Sequence, residues 1–453
     1  MSFDTLKDDL LFLTDAGLKY AKSKGAEQTE IFVSSQKSIN VINQSGMINA
    51  IDGRNEGIGV RIAQGKRLGF AAMSSLTEKA LQYAIDEALS VAKSVKQDNE
   101  GFEKFADKMK PAKDGIIDPK IVSLSTEDIV NNTSKSFTTS KEFDSRIISA
   151  TARTTSTYGG YAIANSEGTI GSTSYTAYIM VNFVTAMEGQ QRKSAFDFSV
   201  TRNVPENKNI GKNCSEKAIK LLDSKPLGFT GVLPTVWNPI VMSSYWQTSL
   251  ANSVNGRQVV EKNSYFMDKL GDKVGIQDLT ITDDGQLPEG LNTSEIDFEG
   301  VPRQTTNIIE KGVLRSFLYD SYYGRIGKAK STGNANRGQD YESTPGISPT
   351  TIVIQPGTKS FEEIISGIDK GVYIMDSVMG MIHSNVISGD FSVVATSAYL
   401  IENGEITHPL NPITVAGNFY KSYQNIRNIG SDSKLLPAVK TPTIAFDGFT
   451  VNG

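Results

Sequence analysis

Histidine is nearly missing from this chain of 453 residues, in which only His383 and His408 occur. Zinc sites, general bases and activated nucleophiles draw on imidazole more than on any other side chain. The two histidines stand far apart, with no cysteine nearby and no HExxH-like spacing, which excludes a closed structural zinc site. A weaker site, from one histidine plus carboxylates, stays open. His408, in ITHPL before Pro409, reads as an edge-strand residue, and His383, in GMIHSNVISGD, lies in a glycine-flanked loop able to face a cleft.

Cysteine is scarcer still: Cys214 is alone, so no intrachain disulfide can form, which fits a reducing compartment. It sits in KNCSEKA, read as the polar face of a helix, and with no histidine beside it an inert thiol is expected. No apolar run approaches the roughly 20 residues of a membrane span. The first residues, MSFDTLKDDLLFLTDAG, carry acids where an export signal carries bases, so a cytoplasmic protein is expected.

Forty-six basic against fifty acidic residues give a net charge of -4, which offers no field to draw nucleic acid or an anionic membrane. The most basic stretch, Gly324 to Arg337, lacks interleaved aromatics and reads as a solvated or ligand-contacting loop. GxSxG and GxxxxGK[ST] are absent, and GIGVRI at Gly57 lacks the third glycine and the helix of a dinucleotide loop. The pairs Asp283/Asp284 and Glu362/Glu363 are expected in turns and helix starts, capping or solvating.

What is present reads as α+β. Leucines and alanines at helical spacing predict a helix over Asp4 to Lys24, stopped at Gly25. Four β-branched runs follow, EIFVSSQKSINVINQ, MINAIDGRN, GIGVRIAQG and KRLGFAAMSS, punctuated by SG, DG and QGK turn signals. A helix capped by Ser75 runs to Val95, and another spans Thr126 to Lys141 after the Pro111 to Pro119 connection. From Ser145 to Arg202 strands return, with turns expected at Gly159–Gly160, Gly168 and Gly189, before a helix near Lys208 to Asp223. Helices are expected on one side of an antiparallel sheet. Pro226 and Gly228 mark the boundary between an N-terminal α+β domain, 1–225, and a C-terminal domain, 226–453. GVLRSFLYD, TTIVIQPG, GVYIMDS, DFSVVATSAYLIENGEI and TPTIAFDGFTV make the latter mainly antiparallel β and barrel-like, with short helices near Ser243–Val254, Phe361–Asp369 and Phe419–Ile429. No short-period repeat or low-complexity tract is found.

The run from Ile296 to Ala335, IDFEGVPRQTTNIIEKGVLRSFLYDSYYGRIGKAKSTGNA, is followed by ISGDFS, YLIENGEITHPL, ITVAGN and NIGSD. Together these segments resemble the TldD/PmbA family, historically labelled modulators of DNA gyrase. GAEQTEIFV and GIGVRIAQGKRLGFAA extend the resemblance over nearly the whole chain. It implies two α+β domains, the C-terminal ones pairing around a chamber, in a cytoplasmic metallopeptidase that trims unfolded peptides.

In TldD-type members a helix carries HExxxH, whose histidines hold zinc while the glutamate acts as general base. With Gly256 and Ser264-Tyr265-Phe266 as anchors, the matching segment here is Gln247 to Asn252. Gln247 and Asn252 stand at the histidine positions and Thr248 at that of the glutamate. The late cysteine ligand has no counterpart from Leu435 to Gly453. The departure resembles the TldE/PmbA-type branch, which implies no metal in this chain, zinc in a TldD-type partner, and a heterodimer or a homodimer. Asp320, Ser321, Tyr322, Asn334, Arg337, His383 and Asp390 are the candidate substrate or partner contacts, with turn geometry as the plainer role for each. Two other readings stand beside this one: a homodimeric peptide- or ligand-binding protein without hydrolytic activity, and a hydrolase built around His383 and carboxylates.

Overall fold

The computed structural model describes residues 3, 5–110, 112–206, 209–376 and 378–453. The expected helix starts at Asp4 and Lys208, the connection from Pro111 and the end of GVYIMDS at Ser377 therefore fall on positions outside the described residues. Helix α1 (Leu6–Ser23) buries Leu6, Leu10, Leu13, Gly17 and Ala21 on one stripe, and Gly25 follows at φ +81°. Helix α2 (Glu78–Ser94) starts two residues later than expected: Thr77, not Ser75, accepts the hydrogen bond from the Ala80 N–H. Helix α3 (Pro119–Ser123) is short, and α4 (Thr126–Lys141) opens on a capping box between Ser125 and Asp128. Helix α5 (Ile210–Leu221) completes the half.

Six long strands, β1 (Gln28–Gln44), β2 (Met47–Gln64), β3 (Arg67–Met73), β4 (Ile147–Asn165), β5 (Ile170–Glu188) and β6 (Gln191–Thr201), form one antiparallel sheet in the order β3-β2-β1-β4-β5-β6. Two expected turns do not form. Asp52–Gly53 lies inside β2, where Gly53 pairs with Ser38, and Gly159–Gly160 lies inside β4, paired with both Gln36–Ser35 and Tyr175–Ser174. Continuous pairing overrides a local turn preference, and a side chain at Gly159 would sit 2.7 Å from the Ser35 carbonyl. Ser45–Gly46, Gly168 and Gly189 do turn, at positive φ.

Alternation along β1 sorts its side chains between two faces. Ile31 and Val33 pack with α1 and α2, and Ile39 and Val41 pack with α3, α4 and α5. Phe32 points the other way, toward Tyr161, Ile296 and Tyr341. The helices thus cover one face, and the chain beyond residue 290 covers part of the other.

After Gly228 the chain enters β7 (Thr230–Trp237), then α6 (Pro239–Ser253) and α7 (Gly256–Val260). β7 is central in a nine-stranded sheet that curls into a half-barrel, and a second, six-stranded sheet lies beside it. Most pairs are antiparallel, but β7 runs parallel to Lys370–Ile374, and Ile352–Ile354 parallel to Val439–Thr441. Trp237, Tyr245, Trp246, Phe266, Phe419, Tyr423 and Phe446 fill the core. The expected helix over Phe419–Ile429 stops at Ser422, and Ile426–Ile429 is a strand on Ile444–Asn452. The three-residue spacing of its isoleucines imitates a helix, while both side chains are buried in the sheet core.

No helix among the described residues is long and apolar enough to cross a membrane.

Candidate functional site

Helix α6 begins where Asn238 caps the Ile240 N–H and Pro239 takes the first turn, earlier than the expected start at Ser243. Its inner face buries Met242, Tyr245, Trp246, Ser249, Leu250 and Ser253. Trp246 donates from Nε1 to Thr441 Oγ1 at 3.2 Å, and Tyr423 donates to Ser249 Oγ at 2.8 Å. What remains outward is a stripe of Ser244, Gln247, Thr248, Ala251 and Asn252. All three positions singled out by the resemblance therefore share one face.

The donors on that stripe are neutral. Gln247 Nε2 bonds to Ser243 Oγ at 3.1 Å, and Asn252 Oδ1 is buried with no partner among the described residues. Carboxamides bind divalent zinc far less well than imidazole or thiolate, and a threonine hydroxyl is no base at neutral pH. Among the described residues no three His, Cys, Asp or Glu side chains gather as metal ligands.

A loop lies beside this helix. The turn Met381–His383 packs against α6, with His383 exposed. Tyr420 ties the loop down, its hydroxyl reaching the Val386 carbonyl at 2.5 Å and that of Ser249 in α6 at 3.3 Å. Asp390, exposed at the loop's end, accepts from Asn418 Nδ2 and Ser388 Oγ, both at 2.8 Å, which hold its carboxyl below the usual range. His408 is elsewhere, on Glu405–Leu410, against Thr407 Oγ1 at 3.2 Å. Cys214 faces the core rather than the polar side of α5, and burial pushes its thiol up to about 12.

The remaining candidates do not join α6. They build the seam between the two halves. Asp320 caps α8 (Ser321–Ile326), accepting from the Tyr323 N–H at 2.7 Å, and the Ser321 N–H donates to Glu299 at 2.8 Å. Tyr322 donates to Asn99, and Asn334 to Asp283 at 2.6 Å. Arg337, fully buried, reaches across to Glu30 in β1 at 2.7 Å and lies over the Phe32 ring. Glu30 in turn takes Arg61 of β2 through both oxygens, at 2.7 and 2.6 Å, and Arg61 continues to Glu299 at 3.1 Å. Of the expected solvated or ligand-contacting loop only part is solvated: Lys328 and Lys330 are exposed, but Asn334 and Arg337 are buried between layers. Asp283 is also not in a turn but on the strand Ile281–Asp284, buried and accepting from the Thr350 and Thr351 N–H groups.

Sequence reasoning passed over Glu30, Arg61, Asp297, Glu299 and Arg303. For Glu30 and Arg61 the signal is a charge at an inward position of an otherwise apolar strand, as in TEIFV and GVRIA, whereas Asp297, Glu299 and Arg303 lie outside strands and carry no such signal. Burial disfavours charge throughout the seam. It holds Arg337 down to about 10 against the pull of Glu30. It raises Asp297 although Arg303 opposes it, and raises Asp320 with Glu299 adding to the effect. Among the shifted seam carboxyls Glu299 is the one that goes down, because Arg61 and the Ser321 N–H outweigh its burial.

A pH dependence follows. A carboxyl whose folded pKa is raised contributes stability that is fully present below the ordinary carboxylate range and is lost as pH rises through the folded value. Asp320→Asn, which keeps the cap, is expected to gain stability relative to the parent between about pH 5 and about pH 8 in urea titrations. An unchanged difference across that range would contradict the raised carboxyl.

Three models of one family match the chain: PmbA/TldA metallopeptidase domain 1 over residues 29–92, the central domain over 119–222 and the C-terminal domain over 230–453. The metalloprotease PmbA of Escherichia coli O157:H7 is 26% identical over 93% of this chain and 93% of its own length. A TldD homolog of Buchnera aphidicola is 24% identical over 84% and 80%. Among solved structures, TldE of Thermococcus kodakarensis superposes with a TM-score of 0.88 at 23% identity, covering 97% of this chain and all of that one. A Thermotoga maritima protein described as a modulator of DNA gyrase gives 0.87 at 25% identity, over 97% and 99%. Matched through all three of its domains, the chain belongs to the PmbA/TldD metallopeptidase family.

Proposed function

We propose that this chain is a TldE/PmbA-type subunit that holds no zinc of its own and completes the chamber of a cytoplasmic peptidase, acting on unfolded peptides with a TldD-type partner. One observation supports it above all: the α6 stripe offers Gln247, Thr248 and Asn252 where a zinc peptidase needs two imidazoles and a carboxylate. These side chains do not fit zinc, so no hydrolytic step is assigned to them. The relatives named PmbA and TldD are both called metalloproteases, which agrees with a part in proteolysis.

The test is reconstitution. The chain alone is expected to leave an unfolded peptide intact, to co-elute with a TldD-type partner, and to raise that partner's chelator-sensitive cleavage. A partner equally active without the chain, with no co-elution, would refute the subunit reading. Tight binding of peptide recovered intact, with no partner required, would favour a homodimeric binding protein instead.

A further inference from the structure

Between the loop at Asn99–Phe105 and α8 lies a cavity of about 350 Å³, at the seam and with no residue of α6 in its lining. Phe70, Phe102, Phe105 and Tyr322 wall it. Two ionic side chains lining it, Asp320 and Arg325, form no ion pair among the described residues, and Arg61 acts on the Asp320 carboxyl only at longer range. Asp320 is 2% exposed; its Oδ1 accepts the Tyr323 N–H, and its Oδ2 takes no hydrogen bond. Arg325 donates from Nη2 to the Lys104 carbonyl, while its Nε is buried without an acceptor. Arg61 and Glu299 also line the cavity, but they satisfy each other and Glu30.

Buried polar atoms in folded proteins are overwhelmingly paired, and those left open mark a missing ligand or water. Asp320 and Arg325 stand at the two ends of one short helix, their backbones about 7.5 Å apart along its axis. A simple amine would leave Arg325 open, and a simple acid would leave Asp320 open. Only a ligand carrying both charges on a short frame closes both, and the aromatic walls call for an apolar substituent.

We propose that this cavity binds an α-amino acid with an apolar side chain, its ammonium on Asp320, its carboxylate on Arg325 and its side chain among Phe70, Phe102 and Phe105. The inference stands apart from the subunit reading, since it uses no residue of α6 and needs no partner.

Calorimetric titration of the full chain with glycine, L-leucine and L-phenylalanine tests it, with phenethylamine and 3-phenylpropionate as single-charge controls. The larger amino acids are expected to bind, and each control to bind at least about tenfold more weakly than L-phenylalanine. Asp320→Asn, which keeps the helix cap, and Arg325→Gln should each cost at least about tenfold for the amino acids, with unchanged circular dichroism. Phenethylamine binding as tightly as L-phenylalanine would overturn the zwitterion. So would the absence of binding by all three amino acids, or both variants binding them like the parent.

Discussion

Replacing Glu30 with alanine is expected to remove about 3–5 kcal/mol from the unfolding free energy measured in urea. Glu30 is the anion shared by two buried guanidinium groups, and it is the only carboxylate paired with Arg337 among the described residues. Without it Arg337 keeps carbonyl acceptors from Phe298 and Ser343 but no directly paired carboxylate, and Glu299 and Asp340, at longer range, offset less of its desolvation. The converse change is milder. Arg337→Met leaves Glu30 bound by Nε and Nη2 of Arg61, so about 1–3 kcal/mol is expected, mostly for the abandoned carbonyls. The order of the two variants is the test: equal losses would mean that the seam is not organised around Glu30. Because this seam joins β1 and β2 to the chain beyond residue 290, the loss is expected in one cooperative transition of both halves.

Trp246→Ala carries the second large effect, about 3–5 kcal/mol, from a cavity opened behind α6. The indole is fully buried, meets Tyr245 and Tyr423 at ring distances of 5.3 Å each, and leaves Thr441 Oγ1 without its donor when removed. It lies on the face of α6 opposite the Gln247, Thr248 and Asn252 stripe, so the loss tests what fixes that stripe outward. Trp246→Phe, which retains most of the apolar volume, is expected to lose distinctly less. A loss below about 1 kcal/mol for the alanine variant would contradict the packing of this helix.

Much of the fold was legible because its helices carry their own signals. Ser125 with Asp128, and Ser360 with Glu363, write capping boxes into the sequence, and Leu6, Leu10 and Leu13 mark a single buried stripe. Strand continuity was not legible. Asp52–Gly53 and Gly159–Gly160 have turn chemistry, and only their strand partners, in β1 for the first and in β1 and β5 for the second, draw them straight. Pairing that lies outside the dipeptide itself leaves no trace in its local chemistry.

The candidate site divides the same way. The side chains of Gln247, Thr248 and Asn252 share a face because helical spacing puts them there, which a sequence displays directly. Asp320, Asn334 and Arg337 stand in glycine-rich segments that look solvated, and their burial depends on Glu30, Glu299 and Asp283, none adjacent to them in sequence. The family's long segment from Ile296 to Ala335 therefore serves the seam first: Asp297 accepts the Ala335 N–H at 3.0 Å, tying its two ends together.

The account rests on the poverty of ligands along α6, and metal content decides it. Purified chain, expressed with zinc supplied and without any partner, is to be analysed by mass spectrometry for bound metal. The account predicts zinc far below one ion per chain, and about one firmly held ion per chain would contradict it.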